Sequence, residues 1–311
     1  MRRLRAVHVA RIVLTGVGWG LLAPATKALF AEVPGAFDGF SVAAARGVWA
    51  FPIYALLLLW TWTRERPHPA PRQWAALAAA GLTFGLGITV LFAVAAMYTS
   101  IAHLSFLIGS SPVTNSVAAA LAFRLPITRR QQLALALGIV GVGLLAATRS
   151  GGGAGIFGDS LMIVWLLCFA AYSVLLRYGG QGLSSLFAMS VVGVISMAAV
   201  AIASLAIPGA LRGAIHVADT PTTAWWFFGE VVLGSGVIAQ IAYAGAVRRF
   251  GVSLATIGAE YTALVTGVAY SLFAREPWSW LTVVAGGLLI LALGVTFAPR
   301  EREPAAVSAG A

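Results

Sequence analysis

Charged residues are scarce in this sequence, and their scarcity excludes a water-soluble fold. Of its 311 residues, 10% are charged and 60% are hydrophobic, and the mean hydropathy is +0.91. Soluble domains carry about 25% charged residues. So much apolar surface requires a lipid bilayer as its solvent, and spans of about 20 residues each leave no room for a soluble catalytic domain.

Cysteine and histidine are also rare, which argues against several kinds of chemistry. Cys168 is the only cysteine, so no intrachain disulfide can form, and the four His residues are too scattered for a metal site. No Gly-rich phosphate loop precedes a Lys-Ser or Lys-Thr pair, as direct ATP hydrolysis would require. We therefore expect no cofactor, no bound metal and no enzymatic activity.

What the chain does have is a series of long apolar stretches separated by short polar connections. Each stretch is long enough to cross a bilayer as a helix, so we predict an all-α membrane protein with ten transmembrane helices. The predicted spans are 12–31, 40–62, 74–98, 102–123, 131–148, 159–178, 184–208, 224–247, 252–273 and 279–298.

The distribution of arginine predicts which side of the membrane each connection occupies. With the N-terminus in the cytoplasm, fifteen Arg residues fall on the cytoplasmic side, and Arg149, Arg212 and Arg275 fall on the other. Cytoplasmic loops are generally enriched in Lys and Arg, so both termini are predicted to be cytoplasmic. Because the +10 net charge is spread over many connections and forms no single basic face, nucleic acid is not an expected partner.

An odd number of spans in each half predicts an inverted repeat. We divide the chain into a first five-span repeat at 1–148, a second at 149–298, and a disordered cytoplasmic tail at 299–311. Because five is odd, the second half enters the membrane from the opposite side, and the two halves would be related by a two-fold axis in the membrane plane. In the third span Gly81, Gly85 and Gly87 precede Tyr98, and in the eighth Gly234 and Gly236 precede Tyr243; each of these spans is followed by a very short connection. Inverted repeats favour a transporter that works by alternating access.

Five short motifs, in order along the chain, resemble those of the drug/metabolite transporter superfamily, specifically its ten-span EamA-type branch. They are Trp19-Gly20 followed by Lys27 in span 1, Arg46 in span 2, Ser111-Pro112-Val113 in span 4, Gly158-Asp159 leading to Trp165 and Tyr172 in span 6, and Arg275-Glu276-Pro277 after span 9.

The resemblance implies an inner-membrane carrier that exports small metabolites from a bacterial cytoplasm. Amino acids are the substrates it implies most directly, and some members of the family export aromatic ones. Other members move sugars, nucleobases or nucleotide sugars, and a shared fold does not choose among these substrates.

Ionisable groups inside membrane spans are costly, so each is a candidate functional residue. Lys27 and Glu230 both lie in the outer third of their spans, and we predict that they form a gating pair; the alternative is that both sit at the interface and never meet. Glu260 lies near mid-membrane, where it could bind a substrate ammonium group, carry a proton, or simply hydrogen-bond to a neighbouring helix. Arg46 lies near the outer end of span 2, where it could anchor the helix structurally or have a role in substrate binding or gating.

The other predicted substrate-binding residues are polar or aromatic groups deep in the spans, together with helix-breaking prolines. Pro112 lies in the most polar stretch of any span, and a proline in a helix frees a carbonyl that must find a new partner. A wide aromatic pocket would suit a flat apolar side chain, which favours aromatic or other hydrophobic amino acids. The predicted set is Trp19, Pro24, Tyr98, Ser110, Ser111, Pro112, Asn115, Trp165, Tyr172, Gln240, Tyr243, Glu260 and Tyr261.

These observations favour a carrier with a central cavity lined by spans 1, 3, 4, 6, 8 and 9. A membrane-embedded enzyme acting on lipid, or a scaffold subunit, is less well supported, because the ionisable residues are scattered and the midplane is polar and kinked. The expected partners are a small-molecule substrate and the bilayer. Transport by facilitated diffusion and transport coupled to protons are both open alternatives. The protein could be a monomer or a homodimer.

Overall fold

The computed structural model describes residues 2–122, 124, 127, 129–147, 153–215 and 221–297, without the side chains of 2–8, 146, 153–154, 247–257, 293 and 296–297. This part of the chain is all helix and turn, without a strand, as predicted. The predicted disordered tail lies outside it. The elements are α1 Arg2–Glu32, α2 Gly39–Glu65, α3 Pro71–Leu82, π1 Thr83–Val90, α4 Leu91–Tyr98, α5 Ile101–Gly109, α6 Ser111–Ala122, α7 Arg129–Ala147, α8 Gly153–Gly179, α9 Ser185–Leu205, α10 Arg212–Ile215, α11 Thr222–Gly229, π2 Glu230–Ile238, α12 Ala239–Phe273 and α13 Trp280–Phe297, where π1 and π2 are π-helical.

Seven stretches of the described residues are long and apolar enough to cross a membrane. They are Val9–Glu32, Gly39–Glu65, Pro71–Tyr98, Ile101–Ala122, Gly155–Gly179, Ser185–Leu205 and Thr222–Ala246. They coincide with predicted spans 1–4 and 6–8 and make this a multi-pass membrane protein. The predicted spans 5, 9 and 10 are also helical, as α7, the second part of α12, and α13, but the count of ten stays a prediction.

Local sequence signals explain where several helices begin and where one is interrupted. The Asp38 carboxylate accepts from the backbone N–H of Ser41 at the start of α2, and the Ser184 hydroxyl accepts from the backbone N–H of Phe187 at the start of α9. Predicted span 4 is divided into α5 and α6 at Ser110. Pro112, which cannot continue the hydrogen-bond pattern of α5, is the second residue of α6.

The chain reverses direction within α12, which therefore contains parts of two spans. Gly245 lies against the side chain of Arg11 of α1. Gly258 lies against the side chain of Ile12, which follows Arg11 in α1. A straight helix would separate two residues thirteen positions apart by about 20 Å. Since both pack on neighbouring residues of α1, the segments before and after 247–257 form a hairpin against that helix.

Helices that would be equivalent in the two predicted repeats pack against each other in antiparallel pairs. Along α2, Gly47 lies against Met197 and Ala201 of α9, while Thr61, further on, lies 3.3 Å from Ser190. In the same way, α7 packs against α13 with its residues in reverse order. Spans 2 and 7, and spans 5 and 10, thus meet as antiparallel pairs.

The remaining helices also show matching contacts in the two predicted repeats, here called the two halves. Helix α1, the first span of the first half, packs on π2 and α12, whereas α8, the first span of the second half, packs on α3, π1, α4 and α5. Both π-helical segments occupy the same place, the middle of the third span of their half. Each π-helical segment contains a Gly-x-Gly sequence, Gly85–Gly87 in π1 and Gly234–Gly236 in π2, so the departure from α-helical geometry occurs at both places.

Candidate functional site

Two connected cavities lie between the halves. The larger, of about 160 Å³, is called the vestibule here; it extends to the connection between α8 and α9 and includes Arg177, Gly180 and Ser185 in its lining. The smaller, of about 50 Å³, is called the deep pocket and includes Arg46, Trp165 and Glu260. The two share four lining residues at their junction, namely Trp19, Phe84, Phe169 and Gln240.

Aromatic rings form the walls where the two cavities join. Trp165 stacks on Phe169 with ring centroids 5.1 Å apart and planes 5° from parallel, because the two residues lie one helical turn apart on α8. Across the cavity, the ring of Trp19 lies 5.2 Å from that of Tyr243. In the vestibule, the Tyr172 hydroxyl lies 3.4 Å from the sulfur of Met189. The walls can therefore enclose a flat apolar group.

The deep pocket contains two buried ionisable groups, a carboxyl and a guanidinium. Glu260 is 1% exposed and Arg46 is 6% exposed, and Glu260 Oε2 and Arg46 Nε both have no hydrogen-bond partner. The Nε1 of Trp165 is unpartnered as well. Ser111 lies next to the Glu260 carboxylate, but its hydroxyl does not meet hydrogen-bonding geometry with any group. Polar atoms buried in this way need partners, which a bound ligand can supply.

Beyond the deep pocket, the opposite end of α8 is tied to the short connection between α4 and α5. Thr99 Oγ1 donates to Asp159 Oδ1 over 2.5 Å, and His103 Nδ1 lies 3.1 Å from Asp159 Oδ2. Glu276, after α12, accepts from the backbone N–H groups at the start of α5, those of Ile101 at 2.9 Å and Ala102 at 3.0 Å. We call these contacts the latch.

The order of residues along α8 places the cavities relative to the latch. Asp159 of the latch comes first, then Trp165 of the deep pocket, then Phe169 at the junction, and finally Arg177 at the vestibule. Asp159 and Arg177 are about 27 Å apart along the helix, close to the thickness of a bilayer core of about 30 Å. The vestibule and the latch therefore lie at opposite membrane faces.

The structure brings six of the predicted substrate-binding residues to these cavities and leaves the others elsewhere. Those at the cavities are Trp19, Trp165, Tyr172, Gln240, Tyr243 and Glu260. Tyr98 packs edge-on against Phe157 near the latch, and Tyr261 is 51% exposed. The role of each in substrate binding stays a prediction.

The polar stretch around Pro112 lies behind the deep pocket and is not among the residues that line either cavity. Ser110 Oγ donates to the carbonyl of Leu107 within its own helical turn. Ser111 touches Glu260, and Asn115 Oδ1 is buried without a partner. Pro24 is buried within α1. Contact of these four residues and Pro112 with substrate also stays a prediction.

Of the two predicted gating residues, the structure places Glu230 near the deep pocket and adds a neighbour to it. Glu230 begins π2 and lies within electrostatic range of Arg46. Its carboxylate folds back over Gly234, and Oε1 has no hydrogen-bond partner. Lys27 is half-buried on α1. The Lys27–Glu230 pair stays a prediction.

Several lining residues were not predicted, and only some carry a signal in the sequence. Phe84 is next to Gly85, whose glycine pattern marked the third span. Span 7 was not expected to line the path, yet Ala188 and Met189 of α9 line the vestibule. Ordinary apolar residues in an apolar helix give no indication of which face meets a cavity.

Together, these features define a multi-pass, all-helical membrane protein with two connected interior cavities and with the polar contacts of the latch toward the other end of α8. One solved crystal structure has this fold, with a TM-score of 0.56 and 19% sequence identity over 94% of this chain and 96% of that chain. Residues 9–147 match the EamA-like transporter family, and this match confirms the resemblance seen in the motifs. The protein is a membrane transporter of small molecules. No curated protein matches the chain.

Proposed function

We propose that this protein exports amino acids, preferentially those with aromatic or other hydrophobic side chains, by alternating access across a bacterial inner membrane. The observation that carries the proposal is Glu260, a buried carboxylate with an unpartnered oxygen that lines a pocket walled by Trp19, Trp165 and Phe169. A buried carboxylate can bind a substrate ammonium group, and the aromatic rings can enclose its side chain.

Reciprocal packing supports the proposal that two inverted five-span repeats form the carrier. When Gly85 and Gly87 are aligned with Gly234 and Gly236, the two halves are offset by 149 residues. Under this offset Glu260 is the counterpart of Ser111, and the two residues touch. A residue that contacts its own counterpart lies next to a two-fold axis, so the proposed substrate site would be at the centre of the molecule.

The proposed transport cycle assigns different roles to the vestibule and the latch. The vestibule extends to a connection on the Arg-rich, predicted cytoplasmic side, whereas the latch joins the α4–α5 connection to the second half at the other side. In our proposal this is the inward-facing state, which receives substrate from the cytoplasm. Breaking the latch while the vestibule closes would expose the deep pocket to the outside.

The lining favours amino acids over the other substrate classes carried by relatives of this family. A sugar offers many hydroxyl groups, and a site for it would need many convergent polar partners. The deep pocket is instead mostly apolar, with its few polar groups being Arg46, Gln240, Glu260 and the indole N–H groups. Sugars, nucleobases and nucleotide sugars are the alternatives that the test must include.

Counterflow in liposomes tests the proposed function. Liposomes that contain the purified protein are loaded with unlabelled phenylalanine, glucose, uracil or a nucleotide sugar, and each preparation is tested for uptake of the same compound in labelled form. We expect accumulation of phenylalanine only, and its loss in Glu260→Gln. Accumulation of glucose or uracil alone would refute the substrate class, and chemical conversion without counterflow would favour the lipid-modifying enzyme.

Energy coupling and assembly are separate parts of the proposal. Protons are the candidate coupling ion, with facilitated diffusion as the alternative. An imposed pH gradient that drives phenylalanine above its equilibrium distribution would support coupling, and equilibration without accumulation would support facilitated diffusion. The mass of the protein in native nanodiscs would distinguish a monomer from a homodimer.

A further inference from the structure

Arg46 lies in a position that the packing of α2 does not explain. Its guanidinium approaches Gly236 of π2, where a Cβ on the glycine would lie 3.2 Å from Nε. The neighbouring contact between these elements is already made by Tyr54, whose hydroxyl donates to the carbonyl of Gly236. Helix α2 is thus fixed to π2 by a neutral side chain, and the buried charge of Arg46 is not needed for that purpose.

The second half of the molecule supports this interpretation. Under the 149-residue offset, Arg46 corresponds to Ile195 and Glu230 corresponds to Gly81. Ile195 and Gly81 are in contact, just as Arg46 and Glu230 are close to each other. The same junction is therefore built from an apolar pair in one half and a charged pair in the other, so packing alone does not require the charges.

Arg46 and Glu260 line the same small pocket but do not satisfy each other. Among the described residues, neither side chain forms an ion pair with the other, and Arg46 Nε and Glu260 Oε2 both lack a hydrogen-bond partner. Removing two opposite charges from water is costly unless each acquires a partner. A single ligand that carries both charges would satisfy both groups.

We infer that Arg46 binds the carboxylate of the substrate while Glu260 binds its ammonium group, so that the deep pocket recognises the zwitterionic head of a free α-amino acid. This inference rests on the proposed function and adds a second recognition residue to it. A guanidinium is suited to the task because its planar donors match the two oxygens of a carboxylate.

The geometry also assigns a place to the side chain of the substrate. With the head group in the deep pocket, the side chain points through the junction into the vestibule, between Trp19, Phe169 and Tyr172. The vestibule is larger than the deep pocket and mainly apolar or aromatic in its lining. Amines without a carboxylate and acids without an ammonium group would fill the same space but leave one buried charge unpaired.

Binding of three matched ligands tests the inference. Phenylalanine, phenethylamine and 3-phenylpropionate share the same ring and differ only in charge. Since a hydrogen bond to a charged group contributes about 1.5–3 kcal/mol, wild-type protein should bind phenylalanine about 10- to 100-fold more tightly than either analogue. In Arg46→Gln, affinity for phenylalanine should fall to that for phenethylamine, whereas phenethylamine itself should bind about as before.

Glu230→Gln is the matched control, because it removes the other charge near Arg46 without changing the pocket lining. If Arg46 acts only through Glu230, Arg46→Gln and Glu230→Gln will weaken the binding of all three ligands to the same extent, and the inference is wrong. Arg46→Lys keeps the charge but not the planar fork, and should recover part of the preference for phenylalanine.

The outcomes separate this inference from the proposed function. If wild-type protein binds no amino acid, both fail together. If it binds phenylalanine and phenethylamine equally well, the amino-acid function survives but a carboxylate site at Arg46 is excluded. Because this comparison uses wild-type protein, it decides the question even if Arg46→Gln does not fold.

Discussion

Replacing Asp159 with Asn should release the latch and shift the carrier toward its outward-facing state. Asparagine keeps the shape of the side chain but removes the negative charge that faces Thr99 and His103. The contact between Asp159 and His103 is buried, since their side chains are only 4% and 6% exposed, respectively. Because a charge-assisted hydrogen bond contributes about 1.5–3 kcal/mol, losing one should favour the open state about 10- to 100-fold.

Thiol accessibility measures this shift directly. In a Cys168→Ala background, a cysteine placed at Ile108, which lines the deep pocket and is 7% exposed, should react slowly with a membrane-impermeant reagent added outside intact cells. Adding Asp159→Asn should accelerate the reaction by about 10- to 100-fold if the latch keeps that side closed. Ser160→Ala is the control, because the Ser160 hydroxyl bonds only within its own helix, to the carbonyl of Ile156. Equal labelling rates in the latch variant and the control would refute the latch.

Three further predictions concern packing and the second arm of the latch. Gly20→Ala would place a Cβ 2.6 Å from a backbone oxygen of α12 and should reduce stability by about 1–3 kcal/mol, whereas Gly143→Ala, with no atom within 4 Å, should leave the melting temperature unchanged or raise it. Tyr54→Phe removes the hydrogen bond to the Gly236 carbonyl of π2 and should lower the free energy of unfolding by about 1 kcal/mol. Thermal unfolding in detergent measures this change, and an unchanged transition would contradict the prediction. Glu276→Gln keeps only one of the two oxygens that accept from the N–H groups at the start of α5. It should increase labelling of the cysteine at position 108 from outside less than Asp159→Asn does. A larger increase would mean that Glu276, and not Asp159, contributes most to the latch.

Most of the fold could be predicted because a bilayer imposes strong rules on sequence. Apolar length located all seven spans that the described residues support. Pro112 lies at the break between α5 and α6, whereas α1 continues as a helix through Pro24. The π-helical segments were not predicted, although the glycines at 85, 87, 234 and 236 marked the places where they occur. The sequence predicted two separate spans at 224–247 and 252–273, whereas the structure assigns helix to the whole of Ala239–Phe273.

The candidate site was predicted less completely, and the reason is geometric. Rare residues such as Glu260, Trp165 and Gln240 were noticed because polar and large aromatic groups are unusual at mid-membrane. Phe84, Phe169 and Met189 were missed because they resemble every other apolar residue in these helices. Ser110 was polar enough to be noticed, yet its hydroxyl donates to the carbonyl of Leu107 in its own helical turn.

The sequence by itself determined that this protein crosses a membrane, where its spans lie and, by prediction, which ends face the cytoplasm, because the energetic cost of placing charge and backbone in lipid acts on each segment separately. Only the tertiary structure decided that Arg46 and Glu260 share one pocket, that Asp159 meets His103, and that spans 2 and 7 pack antiparallel. Those facts depend on how helices far apart in the chain rotate and pack against one another, and no local property of a helix fixes that rotation.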